Sequence, residues 1–176
     1  MKDITTTTFG LIIAYLLPGL FGLYTCSFWS PTISTQFEAF SKAESNAGLF
    51  FLVLLFALLV GLQLTAFRWV IFELLLCRRN RLKRDEFTQL KTKEQIEAFG
   101  VTLDENFRYH QFWGGIAPVV PAFFLGLRSK YGVALWSFVA LQWFVVFLVV
   151  EAVTVAAAIE AHTRYVARAR TSIKEG

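Results

Sequence analysis

Four stretches of this chain stay apolar for longer than a soluble helix needs, and short polar segments separate them. They run from about Phe9 to Trp29, from Gly48 to Cys77, from Tyr109 to Leu127 and from Gly132 to His162. A helix rises ~1.5 Å per residue, so about 20 residues cross the roughly 30 Å hydrocarbon core of a bilayer. The pattern predicts an all-α integral membrane protein: a single four-helix transmembrane domain over residues 1–176, with spans at about 9–29, 48–77, 109–127 and 132–162. Residues 78–108 form its one sizeable polar loop and 163–176 its tail.

Breaks inside the apolar runs refine this picture. Pro18 and Gly19 interrupt the first span, and Gly114, Gly115, Pro118 and Pro121 interrupt the third. Proline lacks a backbone donor and crowds the preceding turn, so both spans are expected to bend. Two readings stay open for these positions: a packing kink that lets another helix come close, or a gating hinge. In the polar loop, Thr92 and Gln95 have capping-box spacing for a short helix through Phe99 that Gly100 would end.

Composition agrees with the periodicity. Hydrophobic residues make up 56% of the chain, more than one soluble domain of this length can bury. Charge then sets direction. With both termini cytoplasmic, Lys2, the eight Lys and Arg of 78–108 and the four of the tail lie inside, thirteen in all. Lys42, Arg128 and Lys130 lie outside, and Arg68 falls within the second span. Thirteen against three is a strong positive-inside bias, which places both ends in the cytoplasm. The basic cluster Arg78, Arg79, Arg81, Lys83 and Arg84 reads first as an anchor to anionic lipid headgroups, and second as a contact for a cytoplasmic protein partner. Nucleic acid is not expected there, because the basic residues hug the span ends. Cys26 and Cys77 fall at opposite faces in this threading, so no disulfide framework is expected.

Charges within spans are costly and usually pair or face a cavity. Counted along helices from the outer ends, Arg68 sits ~30 Å down the second span, Glu151 ~28 Å down the fourth, and His110 and Gln111 ~25 Å down the third. An intramembrane polar cluster of Arg68, Glu151, His110 and Gln111 follows. It is either an ion pair clamping the second and fourth spans, or a charged vestibule lining a pathway in an oligomer. No acidic or histidine chain is evident leading across the membrane from it. No catalytic or phosphate-binding motif is present, and His110 and His162 stand too far apart in sequence to suggest a metal site. An enzyme is therefore not expected, nor a metal or other cofactor.

Three residue groups carry a resemblance: Leu16 to Gly19 (LLPG), Arg68-Trp69, and Phe107 to Trp113 (FRYHQFW). Together the chain resembles a family of small bacterial multi-pass inner-membrane proteins with an LLPG-type first helix and a Y-R-Y-x-Q-F-type start to the third. Here His110 stands where that pattern has another aromatic. The resemblance carries no activity of its own. Its size and layout are similar to membrane components of phage-defence and toxin-like operons. It implies a homo-oligomeric, pore-like effector of an antiviral system working with a cytoplasmic partner. The alternatives are a non-conducting anchor that recruits a soluble protein through 78–108, or a small transporter subunit.

Overall fold

The computed structural model describes residues 10, 12–41, 47–77, 82, 86, 88, 91–102, 107–132 and 138–174, and among these there is helix and turn but no strand. In chain order the helices are α1 (Ile12–Cys26), α2 (Pro31–Ser41), α3 (Ala47–Leu76), α4 (Lys93–Thr102), α5 (Arg108–Ile116), α6 (Val119–Tyr131) and α7 (Phe138–Lys174). Three units are long and apolar enough to cross a membrane: α3, α5 with α6 (Arg108–Tyr131), and Leu141–Ile173 within α7. Helices α1 and α2 reach that length only as a pair, and they bend by 118° at the turn between them. The chain thus has three or four such helices, consistent with a multi-pass membrane protein.

Proline and glycine set the local breaks. Pro118 is the residue before α6, and the third span is two helices because Pro118 and Pro121 have no N–H to give to the turn before them. Gly132 closes α6 in the left-handed region, φ 61°, which a side chain would oppose. Pro31 opens α2, where the Ser30 hydroxyl accepts from the Ile33 N–H at 3.4 Å. Two segments widen into π-helix: Ile12–Leu16 just before Pro18, and Trp69–Leu76 just after Arg68. The wider turn upstream of Pro18 gives its ring room against the preceding carbonyls. At the end of α3, the Cys77 N–H donates five residues back to the Phe72 carbonyl at 2.6 Å.

Helices α1 and α3 cross backbone to backbone. A Cβ on Gly19 would strike the Ala57 carbonyl, and one on Gly61 would strike the Tyr15 carbonyl. Helix α5 lies across both, with Gly115 against Pro18, and α7 packs on α5. Phe72, Ala117 and Ala158 form the small core where α3, α5 and α7 meet. The outside of this arrangement is strongly apolar: most of the α3 and α7 windows face away from the chain.

Helix α7 does not stop at His162. It continues through 37 residues to Lys174, because Tyr165, Val166 and Ala169 form an apolar stripe that packs on Leu82, Phe99 and Phe107, and Ile173 is buried beyond them. Helix α4 rides on this extension. Its capping box is formed: the Gln95 N–H donates to the Thr92 hydroxyl at 3.2 Å, and the Thr92 N–H to the Gln95 side chain at 3.1 Å. The Gln95 amide also donates to the Ile173 carbonyl at 3.2 Å, fixing α4 to α7. The helix runs to Thr102, so Gly100 does not end it. The ends of the bundle are named below as the loop end, with Cys77, Arg108 and α4, and the turn end, with Gly132.

Candidate functional site

The winding of α3 explains the first contact in the site. Arg68 is the last α-helical residue before the π segment, and Glu73 lies five positions on. Five residues would put the two side chains on different faces of an α-helix, whereas π winding stacks residues close to that interval. The Arg68 guanidinium accordingly donates to the Glu73 carboxylate at 2.9 Å. Its stem packs on Gly114, where a Cβ would come within 2.6 Å of Cγ, and its Cζ lies 5.4 Å from the centre of the Phe107 ring. The Arg68 side chain is 4% exposed and that of Glu73 24%, so Glu73 faces the way out.

Helix α5 supplies the second group. His110 is fully enclosed, with its ring edge-on to Phe72 at 5.9 Å between centroids. Its Nδ1 lies 3.0 Å from the Ala158 carbonyl. A carbonyl can only accept, so Nδ1 carries the proton and Nε2 presents its lone pair. That Nε2 is buried without a hydrogen-bond partner, as is Nε of Arg68. The next residue, Gln111, turns the other way and donates from its amide to the Tyr15 hydroxyl at 2.9 Å, joining α5 to the π-wound start of α1.

The third group comes from α7. His162 is buried with its ring centroid 4.8 Å from that of His110, and Tyr165 follows one turn later at 6.4 Å from His162. Phe107, over which Arg68 lies, also packs on Tyr165 at 5.0 Å between ring centroids, which puts the three groups in one compartment at the loop end.

Of the four residues whose depths predict one layer, the structure brings Arg68 and His110 together at Phe107, 5.4 and 6.1 Å from its ring centre, while Gln111, beside His110 on α5, turns to Tyr15 on α1. Glu151 does not join them: Arg68 takes Glu73 on its own helix, so the expected clamp between the second and fourth spans is not formed by Arg68 and Glu151. The cause is register. His110 meets α7 at Ala158 and His162, so Glu151 sits seven to eleven residues nearer the turn end, ~10–16 Å at helical rise. The depth count began at Gly132, whereas the described helix begins at Phe138, and α7 is shifted toward the loop end. Glu151 is half-buried, and its Oε2 is enclosed with no hydrogen-bond partner among the described residues.

Two residues of the site, Glu73 and His162, lie outside the four that the depth count brings together. The signal for His162 lay in α7, where Glu151, Thr154, Ala158, His162 and Tyr165 recur at three- and four-residue steps. Of the bending positions, Pro18, Gly19, Gly114 and Gly115 are buried at helix crossings, Pro118 is the break before α6, and Pro121 is half-buried within it. Arg78, Arg79, Arg81, Lys83 and Arg84 lie outside the described residues. Among those described, no group of three or more His, Cys, Asp or Glu side chains is placed to hold a metal ion.

Fold and site together define a class: a helical protein with three or four potential spans and a buried arginine–glutamate–histidine compartment at one end. Comparison with protein-family models, with curated proteins and with solved structures finds no match to this chain, so the motif resemblance stands on its quoted residues alone.

Proposed function

We propose that this chain is a multi-pass membrane protein that couples its spans to a soluble partner through a module on its cytoplasmic face. The observation that carries this reading is α7. It runs unbroken for 37 residues from the apolar window to Lys174, and its distal part is tied to the loop by Gln95 to the Ile173 carbonyl and by Arg170 to Glu86 at 2.9 Å. A helix built this way moves the loop and the spans together. The basic residues of 78–84 belong to the same loop by sequence, a composition suited to anionic headgroups or to an acidic partner surface.

The test is affinity capture of partners from native membranes with the intact chain and with Arg78 to Arg84 reversed to glutamate. A specific soluble protein retained by the first and lost by the second supports coupling. Equal recovery by both refutes it.

A second reading, a homo-oligomeric pore-like effector in antiviral defence, is favoured by how little of α3 and α7 a single chain covers and by Glu151 on α7. Phe72 and Phe107 pack against Arg68 and His110 within one chain, and this reading has several copies line the path. Expression with a membrane-potential dye separates the two: collapse of the potential favours the pore, an intact potential favours the coupling protein.

A further inference from the structure

The buried face of α7 carries a polar line that the coupling role does not use. Starting in the apolar window, it presents Glu151, then Thr154 at 3% exposure, then the Ala158 carbonyl that holds His110, then His162 and Tyr165. Each step is three or four residues, so each advances ~4.5–6 Å along one helix face. His110 fills the interval at Ala158, where α7 itself has only a methyl group. Glu73, 24% exposed at its side chain, marks where the line reaches water at the loop end. Among the described residues toward the turn end, Trp143 to Val150 are all apolar and the one amide beyond them, Gln142, is exposed.

Glu151 is the feature that gives the line a purpose. A carboxylate without a partner in hydrocarbon costs several kcal/mol, so it binds a proton, a cation or a cationic side chain. Among the described residues no cationic side chain pairs with it, and the enclosed Oε2 has no hydrogen-bond partner. His110 adds the chemistry of transfer. With Nδ1 committed to Ala158, its unfilled Nε2 offers a lone pair to an incoming donor, beside the His162 ring at 4.8 Å between centroids. The Thr154 hydroxyl gives its hydrogen to the Val150 carbonyl at 2.7 Å and keeps its oxygen lone pairs for an incoming donor.

We propose that Glu151 is an exchangeable proton-binding site within the membrane, filled and emptied from the cytoplasmic side along the line His162, His110 and Thr154. This rests on reading the chain as membrane-spanning with the loop end cytoplasmic. The proton comes from water near Glu73, converts the Glu151 carboxylate to the acid at Oε2, and leaves by the same way; nothing is oxidised or reduced. The charged and titratable groups facing the line are Arg68 and Glu73 from α3, His110 from α5, and His162 and Tyr165 from α7. Arg68 and Glu73 neutralise each other at the mouth, so neither a fixed cation nor a fixed anion blocks it.

The experiment uses the full chain in membrane vesicles and a lipid-soluble carbodiimide, which adds to protonated carboxyls. Adducts are mapped by mass spectrometry. An adduct at Glu151, absent in Glu151→Gln, is the expected result. Raising the bath pH slows modification at once in inverted vesicles, whose cytoplasmic face is outside, and only after a delay in right-side-out vesicles. Exchanging both histidines for phenylalanine slows that response by about 10-fold or more, the scale of a lost proton-transfer group. An unmodified Glu151, or a faster response from the opposite face, overturns the proposal; neither outcome depends on a variant that folds. Vesicle sidedness is fixed in the same preparation by an impermeant thiol reagent on Lys93→Cys, so a wrong topology and a wrong proton site give different results.

Discussion

At the residue scale the decisive fact is that Arg68 and Glu73 are unequally buried, with side chains 4% and 24% exposed. Losing one member of a buried ion pair strands the other, at about 3–5 kcal/mol. Glu73 can turn to water when Arg68 is removed; Arg68, wedged between Gly114 and Phe107, cannot when Glu73 is removed. Glu73→Leu is therefore expected to destabilise more than Arg68→Met, and the double variant less than Glu73→Leu alone. Unfolding in mixed detergent micelles measures all three, and equal single-variant losses would contradict the geometry. Such a pair was half legible in the sequence. An arginine within an apolar run announces a partner, and depth counting finds His110 and Gln111 for its layer. It misses Glu73, because i to i+5 is not a face-sharing interval of an α-helix, and nothing in Trp69 to Leu76 marks a change to π winding. It errs on Glu151 because a depth count assumes every span starts at one plane.

At the scale of elements, glycines report which helices must touch. Gly61 has the Tyr15 backbone in the space a side chain would need, while nothing lies within 4 Å of a Cβ on Gly100. Gly61→Leu is expected to part α1 from α3 and cost at least about 1–3 kcal/mol, the usual penalty of overpacking. Gly100→Ala, near the end of α4, is expected to be neutral or to stabilise by up to about 1 kcal/mol. Thermal unfolding in detergent ranks the two, and the reverse order would mean that α1 does not cross α3 here. Helix α4 offers a separate test. Gln95 caps its own helix and reaches α7, so Gln95→Leu leaves the Thr92 N–H and the Ile173 carbonyl without that partner. Amide exchange in α4 is expected to speed up by roughly 10-fold, the equivalent of about 1.4 kcal/mol, with exchange in α3 unchanged. The capping box was readable from Thr92 and Gln95 alone, since both bonds are local. Its tie to Ile173 spans 78 residues and leaves no trace in spacing.

The whole molecule has two ends of different character, and both the proposed coupling role and the proposed one-sided proton line rest on that asymmetry. The turn end closes with aromatic contacts, Phe21 on Phe123 and Phe124 on Phe147, and its exposed cation Lys130 lies 5.5 Å from the Phe28 ring. The loop end gathers Glu73, the histidines, α4 and the last turns of α7. If the chain spans a membrane with its basic segments inside, a bilayer separates these two sets of groups. Lys130 and Lys93, both exposed, stand on opposite sides of that division. With Cys26 and Cys77 replaced by serine, Lys130→Cys is expected to react with an impermeant maleimide in intact cells. Lys93→Cys, whose parent side chain is 85% exposed, is expected to react only after the membrane is opened. Labelling of both in intact cells would remove the membrane separation on which the coupling rests. The inverse pattern would keep the separation and reverse the side from which Glu151 is served.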